Sequence, residues 1–275
     1  MYKKMRSFVK FFLGKSFEYI VTSASPSIYV FLLNIHGRIK GSYSVFQYDS
    51  VSRTFSVTEN LKKLIFSEKV TNYYSYAGGI SNRGDYLGMT YLLSNIEFRN
   101  GDTVIDCGAN VGDLHLYFWK SNIDIDYIGI EPSPVEFMHL KLNVPLGTFF
   151  NLGLWDSNSE IEFFVSSSKA DSSFVQPSSF TEKITIPAKR LDSLIASTPI
   201  KLLKLEAEGA EFEAIQGAEN LLRNIEFITA DLGEESNGKS TLPSVVNYLI
   251  SKNFEVIDFG FHRTVVLFKN KNFLN

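Results

Sequence analysis

From Thr103 onward the chain alternates short β-branched apolar runs with segments whose apolar residues recur at helical spacing. Thr103-Val104-Ile105 has the composition of a buried strand and stops at Asp106, Gly108, Ala109, Asn110 and Gly112, where a tight turn is expected. Val111, Leu114, Phe118 and Trp119 then follow at the period of one helix face. The same rhythm predicts strands at Tyr127 to Ile130, Thr148 to Leu152, Ile200 to Leu205 and Phe227 to Ala230. Helices are predicted between them at Val135 to Leu142 and through Phe212, Ile215, Ala218 and Leu221. A helix over Pro243 to Ser251 and two strands, Glu255 to Phe259 and Thr264 to Phe268, close the chain. Strand and helix in alternation, finished by an antiparallel pair, predict an α/β fold with a mixed sheet.

Two stretches depart from this rhythm. Residues 1–95 are expected to form an N-terminal α+β extension that serves as an oligomer contact, a cap or an acceptor-binding element, with residues 96–275 as the main domain. Within the extension, Gly41 to Val57 predicts one or two strands, and Leu61, Leu64 and Ile65 predict a helix over Glu59 to Lys69. Tyr73, Tyr74 and Tyr76 precede Gly78-Gly79, where they line a pocket or pack as core. The second departure is an insertion over about residues 157–190, with strands at Ile161 to Val165 and Ile184 to Ile186. They flank a serine-rich loop, Ser166 to Thr181, long enough to be a lid or acceptor loop.

The glycines after Ile105 lie between a strand's carboxyl end and a helix's amino end. Open α/β sheets bind ligands in that crevice, because glycine permits close backbone approach and a helix start offers unpaired N–H groups. In the dinucleotide fingerprint G-x-G-x-x-G, the middle glycine lets a pyrophosphate lie against the backbone. Here the turn reads Asp106-Cys107-Gly108-Ala109-Asn110-Val111-Gly112, with an acid at the strand end and Asn in place of a glycine. A pyrophosphate would meet a carboxylate there, whereas a cationic amino-acid group would be welcome. Glu131 ends the next strand about 25 residues later, near the roughly 20-residue offset of an acid that holds ribose hydroxyls. These features point to S-adenosylmethionine, which has a ribose, no phosphate and a positive sulfonium. Asp106, Gly108, Ala109, Asn110, Gly112 and Asp113 are expected around its methionine end, Glu131 with Pro132 and Ser133 at the ribose, and Trp155 over the adenine. The plainer alternatives are helix packing for the glycines, a helix cap for Asp113 and core packing for Trp155.

Composition narrows the partners. A net charge of −3 over 275 residues offers no global basic field, so nucleic acid is not expected. The single cysteine, Cys107, excludes a disulfide framework within the chain and is expected as buried filler behind the turn. Lys3, Lys4, Arg6, Lys10 and Lys15 accompany Phe8, Phe11 and Phe12 in a basic amphipathic start. That start suits a helix docked on the domain, an oligomer contact, or peripheral contact with an anionic membrane. No stretch reads as a membrane span, and a cytoplasmic protein is expected.

Acids gather at two further strand ends. Ile200 to Leu205 runs into Glu206, Glu208 and Glu211, and Phe227 to Ala230 ends in Asp231, with Glu234 and Glu235 beyond. Two chemistries fit. Glu206, Glu208 and Asp231 are a candidate metal set for a divalent cation such as Mg²⁺, which prefers carboxylate oxygens. Alternatively Glu206, or one of His36, His115 and His262, is a general base. Lys204 alternates with Glu206 and so shares its face; it is expected to pair with that acid, and Lys204, Glu206 and Asp231 form the candidate catalytic set. A nicotinamide enzyme would want the missing glycine, and a non-catalytic glycan- or protein-binding module would have no need of these acids.

LLKLEAEGAEFEAIQGAENLL, GDTVIDCGANVGD, IGIEPSP, NLGLWDS and RLDSLI, within about residues 100 to 235, together resemble the FkbM family of S-adenosylmethionine-dependent methyltransferases. The family pattern usually has aspartate where this chain has Glu206 and glutamate where it has Asp231, which keeps the charge and changes its reach. The resemblance implies a Rossmann-like methyltransferase fold with a mixed, mostly parallel seven-stranded sheet. It also implies O-methylation, either of a sugar in a bacterial surface polysaccharide or glycan precursor, or of a polyketide or other natural product. YYSYAGGISNRGDYLGMTYLL, ahead of the turn, is most similar to the saccharide-modifying members.

Overall fold

The computed structural model describes residues 23–39, 41–67, 75–165, 174, 180, 182–233, 240–261 and 263–273. The basic start, Tyr73, Tyr74, nearly all of the serine-rich loop, Glu234, Glu235 and His262 lie outside the described residues. The chain divides into two compact units, Met1–Arg83 and Gly84–Asn275.

The first unit contains helix α1 (Pro26–Ile39) and strands β1 (Val45–Asp49), β2 (Thr54–Glu59) and β3 (Lys62–Phe66), which form an antiparallel sheet in that order. Tyr29, Leu33 and Gly37 are the buried side of α1. Asn34 docks the helix on the sheet: its carbonyl accepts from Phe46 N at 2.8 Å and its amide donates to Phe46 O at 3.0 Å, the exchange a neighbouring strand would make. Tyr29, Phe55, Phe66 and Tyr76 form an aromatic core, the last two stacked at 5.1 Å. Tyr76 is therefore core.

The helix expected over Glu59 to Lys69 is instead the β2–β3 hairpin. Asn60 (φ 47°) and Leu61 (φ 68°) are both left-handed, as a two-residue type I′ turn requires. Leu61 stands fully exposed at the tip, while Leu64 and Phe66 alternate into the core. An apolar residue at a turn tip imitates one helix face, and cross-strand pairing settles the matter.

In chain order the second unit continues from α2 (Ile80–Thr90) with β4 (Thr103–Cys107), α3 (His115–Ser121), β5 (Asp126–Ile130), α4 (Pro134–Asn143), β6 (Thr148–Phe150), β7 (Gly153–Leu154), β8 (Ser159–Val165), β9 (Glu182–Lys189), α5 (Leu191–Leu194), β10 (Ile200–Leu205), α6 (Glu211–Gln216), β11 (Ile225–Asp231), α7 (Leu242–Ser251), β12 (Phe254–Gly260) and β13 (Val265–Asn270). Seven strands form one sheet in the order β12-β13-β11-β10-β4-β5-β6. From β11 to β6 all neighbours are parallel; β13 is antiparallel to β11 and to β12. The fold is the Rossmann-like α/β arrangement expected.

Both faces of this sheet are covered. Val104, Leu202, Phe227 and Leu267 enter one apolar cluster, and their successors Ile105, Leu203, Ile228 and Phe268 enter the other. Strands buried on both faces read as continuous apolar runs, which is why they were visible in the sequence. The insertion adds a small sheet, β7-β9-β8, with β8 and β9 antiparallel. Strand order reverses beside β4, with β5 and β6 on one side and β10 and β11 on the other. The carboxyl ends of β4 and β10 therefore open the crevice where doubly wound sheets place their ligands.

Candidate active site

The turn after β4 is built against the end of β10. Gly108 has φ 71°, and a Cβ on it would lie 2.1 Å from the Glu206 carbonyl oxygen. Glu206 N in turn donates to Cys107 O at 3.2 Å. Gly108 is thus demanded first by the contact between two strand ends. Asn110 is left-handed (φ 49°), a conformation Asn tolerates better than most side chains, so it replaces a glycine without breaking the turn. Gly112 (φ 82°) faces Leu140 and Val144, which a Cβ would meet at 2.9 and 2.8 Å, so it serves the packing of α4. Ala109 and Asp113 are buried, as is Cys107, whose thiol burial pushes up and leaves inert.

Glu131 joins this turn to the next one. Its Oε2 accepts from Asn110 N at 2.7 Å and its Oε1 from Ser133 N at 2.9 Å. Asn151, beyond β6, donates to Glu131 O and Pro132 O at 2.9 and 3.0 Å. Burial raises the Glu131 carboxyl to about 8, against the two backbone N–H donors. A carboxylate has about four lone-pair sites, so acceptor capacity remains for a pair of hydroxyls, and the residue fits a ribose diol. Trp155 is fixed as framework: its N–H donates to Lys189 O at 2.9 Å, its ring lies 5.8 Å from Phe174, and it packs on the main apolar cluster.

Asp106, Lys204, Glu206, Asp231 and Arg263 form one charged cluster across β4, β10, β11 and the β12–β13 turn. Lys204 Nζ lies 3.1 Å from Asp106 Oδ1 and 3.2 Å from Glu206 Oε2, and donates to Cys107 O and Gly108 O at 3.1 and 2.8 Å. Tyr127 donates to Asp106 Oδ2 at 2.5 Å, and Tyr91 donates to Glu206 Oε2. Arg263 spans the other side, 2.5 Å from Glu206 Oε1 and 2.6 Å from Asp231 Oδ2. Burial alone would raise the Glu206 carboxyl, but Lys204, Arg263 and the Tyr91 hydroxyl outweigh it and hold it at about 2. Burial would lower Lys204, yet Asp106, Tyr91 and Glu206 raise it well above the usual lysine range.

This geometry corrects three expectations. Asp106 is sealed beneath the turn by Tyr127 and Lys204 and supports it rather than facing a ligand. Lys204 is occupied by carboxylates and carbonyls, which makes it a positioning residue. The proposed metal set of Glu206, Glu208 and Asp231 does not fit a divalent cation, because the Arg263 guanidinium already bridges the first and last of them. Among the described residues no group of three or more His, Cys, Asp or Glu could hold a metal ion. A carboxylate held at about 2 is also a poor general base near neutrality.

The other acids after β10 divide the remaining work. Glu211 opens α6, and its buried Oε1 accepts from Ala207 N and Gly209 N at 2.9 and 3.0 Å while Oε2 accepts from Thr241 at 2.9 Å. It ties down the turn that carries Glu208, which is left-handed (φ 47°) and partly exposed at the same crevice edge. His115 sits edge-on to Tyr127 at 5.7 Å, and His36 belongs to the first unit. Sequence reasoning missed Arg263, Tyr91, Tyr127, Asn151 and Glu211. Arg263 and Tyr91 reach Glu206 across 57 and 115 positions, a separation no local pattern signals.

A doubly wound sheet whose switch-point turn has no room for a pyrophosphate and whose next strand ends in a ribose-type acid defines a Rossmann-like nucleoside-binding fold. The family model of the methyltransferase FkbM domain matches residues 106–261, over half of the chain, and the chain belongs to that family. It is 38% identical over 53 residues to the 31-O-demethyl-FK506 methyltransferase FkbM of Streptomyces tacrolimicus, covering 19% of this chain and 20% of that protein. It is 22% identical over 187 residues to Methyltransferase 1 of Beauveria bassiana, covering 58% of this chain and 74% of that one. The crystal structure of methyltransferase FkbM from Methylobacillus flagellatus superposes with a TM-score of 0.47 at 16% identity, over 72% of this chain and 57% of that chain.

Proposed function

We propose that the protein is an S-adenosylmethionine-dependent O-methyltransferase acting on a hydroxyl, most plausibly of a sugar in a surface polysaccharide or glycan precursor. The observation that carries the reading is Glu131, a buried carboxylate at the second strand end with acceptor capacity left over, within a family-defining turn that excludes a pyrophosphate. The Streptomyces relative, by its name, methylates an oxygen. That name equally favours a second reading, a natural-product acceptor, whereas the saccharide reading rests on the segment ahead of the turn. Saccharide, lipid-linked or small-molecule acceptors all present a hydroxyl.

S-adenosylmethionine, when bound, supplies a methyl carbon activated by its sulfonium. This chain's residues do the rest. Glu131, with the Asn110 and Ser133 backbone beside it, would hold the ribose. The Lys204–Glu206–Arg263 cluster fixes the ends of β4, β10 and β11 so that an acceptor oxygen is held in line, and orientation of this kind accounts for much of the rate of a bimolecular transfer. We assign removal of the hydroxyl proton to Glu208, carried at the same crevice edge on the turn that Glu211 secures. The test is a thermal shift with S-adenosylhomocysteine against NAD, followed by mass spectrometry of cell-surface glycans with and without the gene. A shift with S-adenosylhomocysteine alone and loss of one methyl group per acceptor are expected; a shift with NAD alone would end the proposal.

A further inference from the structure

α1 is apolar on two faces, and the fold uses one of them. At 100° per residue, Tyr29, Leu33 and Gly37 point toward the small sheet, while Ile28, Phe31, Ile35 and Ile39 fall within about 80° of arc on the far side. These four are 56%, 63%, 42% and 79% exposed. A helix apolar all round is normally covered on every side, and this stripe extends about 16 Å along the surface.

The charge around it says what covers it. Residues 1–48 hold seven basic residues, Lys3, Lys4, Arg6, Lys10, Lys15, Arg38 and Lys40, against one acid, Glu18, for a charge of +6. With −3 for the whole chain, the remaining residues carry −9. A second copy docking stripe to stripe would bring +6 against +6 and leave those cations facing one another. An anionic lipid surface satisfies both features, because the acyl region takes the apolar stripe and the headgroups take the cations. No helix among the described residues is long and apolar enough to cross a membrane.

We propose that α1 and the basic segment preceding it form a peripheral docking surface for anionic phospholipid. Lysines near an anionic surface contribute additively, so the binding is steep in charge and salt. The experiment is co-sedimentation of the full chain with vesicles of phosphatidylcholine alone and of phosphatidylcholine mixed with phosphatidylglycerol, with light scattering in parallel. Partition is expected to be at least about tenfold stronger onto the anionic vesicles and to fall in high salt. A Lys3→Gln, Lys4→Gln, Arg6→Gln variant, which leaves the helix core untouched, should lose roughly a hundredfold. Phe31→Asp with Ile35→Asp should lose at least about tenfold while melting at the parent's temperature. Equal binding to both vesicles, absence of binding, undiminished binding by either variant, or a dimer that the Phe31→Asp, Ile35→Asp change dissolves without any vesicle binding would each overturn the proposal.

Discussion

Replacing Glu206 by Gln keeps the shape of the side chain and removes the charge at the centre of the cluster. The carboxyl is held at about 2, against an ordinary value of 4.5. A difference of about 2.5 units at about 1.36 kcal/mol each makes the ionised form worth roughly 3 kcal/mol to the folded state. The sign follows from the direction. A depressed acid contributes its full stability above about pH 4.5, and loses it as pH falls toward 2. Removing one member of a buried pair also strands its partners, at a cost of about 3–5 kcal/mol. Here the strandedness is partial, since Lys204 keeps Asp106 and two carbonyls and Arg263 keeps Asp231. The estimate therefore stays near 3 kcal/mol.

Urea unfolding of parent and Glu206→Gln, followed by intrinsic fluorescence near pH 7 and again near pH 3, measures this directly. The gap between them should be roughly 3 kcal/mol near neutrality and should shrink on acidification. Turnover should fall by at least about tenfold, with affinity for S-adenosylhomocysteine within a few-fold, because the residue positions strand ends and is remote from the ribose carboxylate. A variant as stable as the parent near pH 7, or a gap that widens in acid, would refute the view that Glu206 is an ionised keystone.

Glu131 predicts the opposite pH behaviour in binding: its ionised form accepts ribose hydroxyls, so affinity for S-adenosylhomocysteine should rise by about tenfold from pH 7 to 9 by calorimetry, and Glu131→Gln should flatten the profile. Gly108→Ala should cost about 3 kcal/mol in urea unfolding, and more than Gly112→Ala, because its Cβ meets a backbone oxygen rather than yielding side-chain tips. Exhaustive chelation should leave methyl transfer unchanged; a loss restored by Mg²⁺ would show that Arg263 gives way to a cation. Glu208→Gln should lower turnover by about 10²-fold or more with affinity for S-adenosylhomocysteine unaltered, and normal turnover would pass the proton to water instead.

What was legible in the sequence was what short-range pattern encodes. β4, β10, β11 and the closing pair announced themselves because burial on two faces writes an uninterrupted apolar run, and the glycine turn announced itself by its strained conformations. Glu131 was legible because one strand, one helix and one strand fix its distance from the turn. The β2–β3 hairpin was misread because Leu61 is an apolar residue at a turn tip, placed where helical spacing would want it. The partners of the acids were illegible for a different reason. Nothing near Tyr91 or Arg263 distinguishes them from an ordinary core tyrosine and an ordinary turn arginine; their roles exist only once β13 pairs with β11 and lays the hairpin turn beside the end of β10.

That long-range pairing also changes what a row of acids at strand ends means. Read alone, Asp106, Glu206 and Asp231 look like an empty cation site; with Lys204 and Arg263 between them, three carboxylates meet two fixed cations. The ionised cluster keeps one negative charge in surplus, with the Glu131 carboxylate beyond it at the next strand end. Such a field is too well compensated to capture a divalent ion, yet it favours a monovalent cation in the crevice over a neutral or anionic one. A sulfonium is a monovalent cation and a pyrophosphate is not, so the internal pairing of the acids sharpens the choice of cofactor. Arg263→Met tests this step: it enlarges the negative surplus, and should raise the ratio of affinities for S-adenosylmethionine over the neutral S-adenosylhomocysteine. An unchanged ratio would mean that the surplus charge lies too far from the sulfur to be felt.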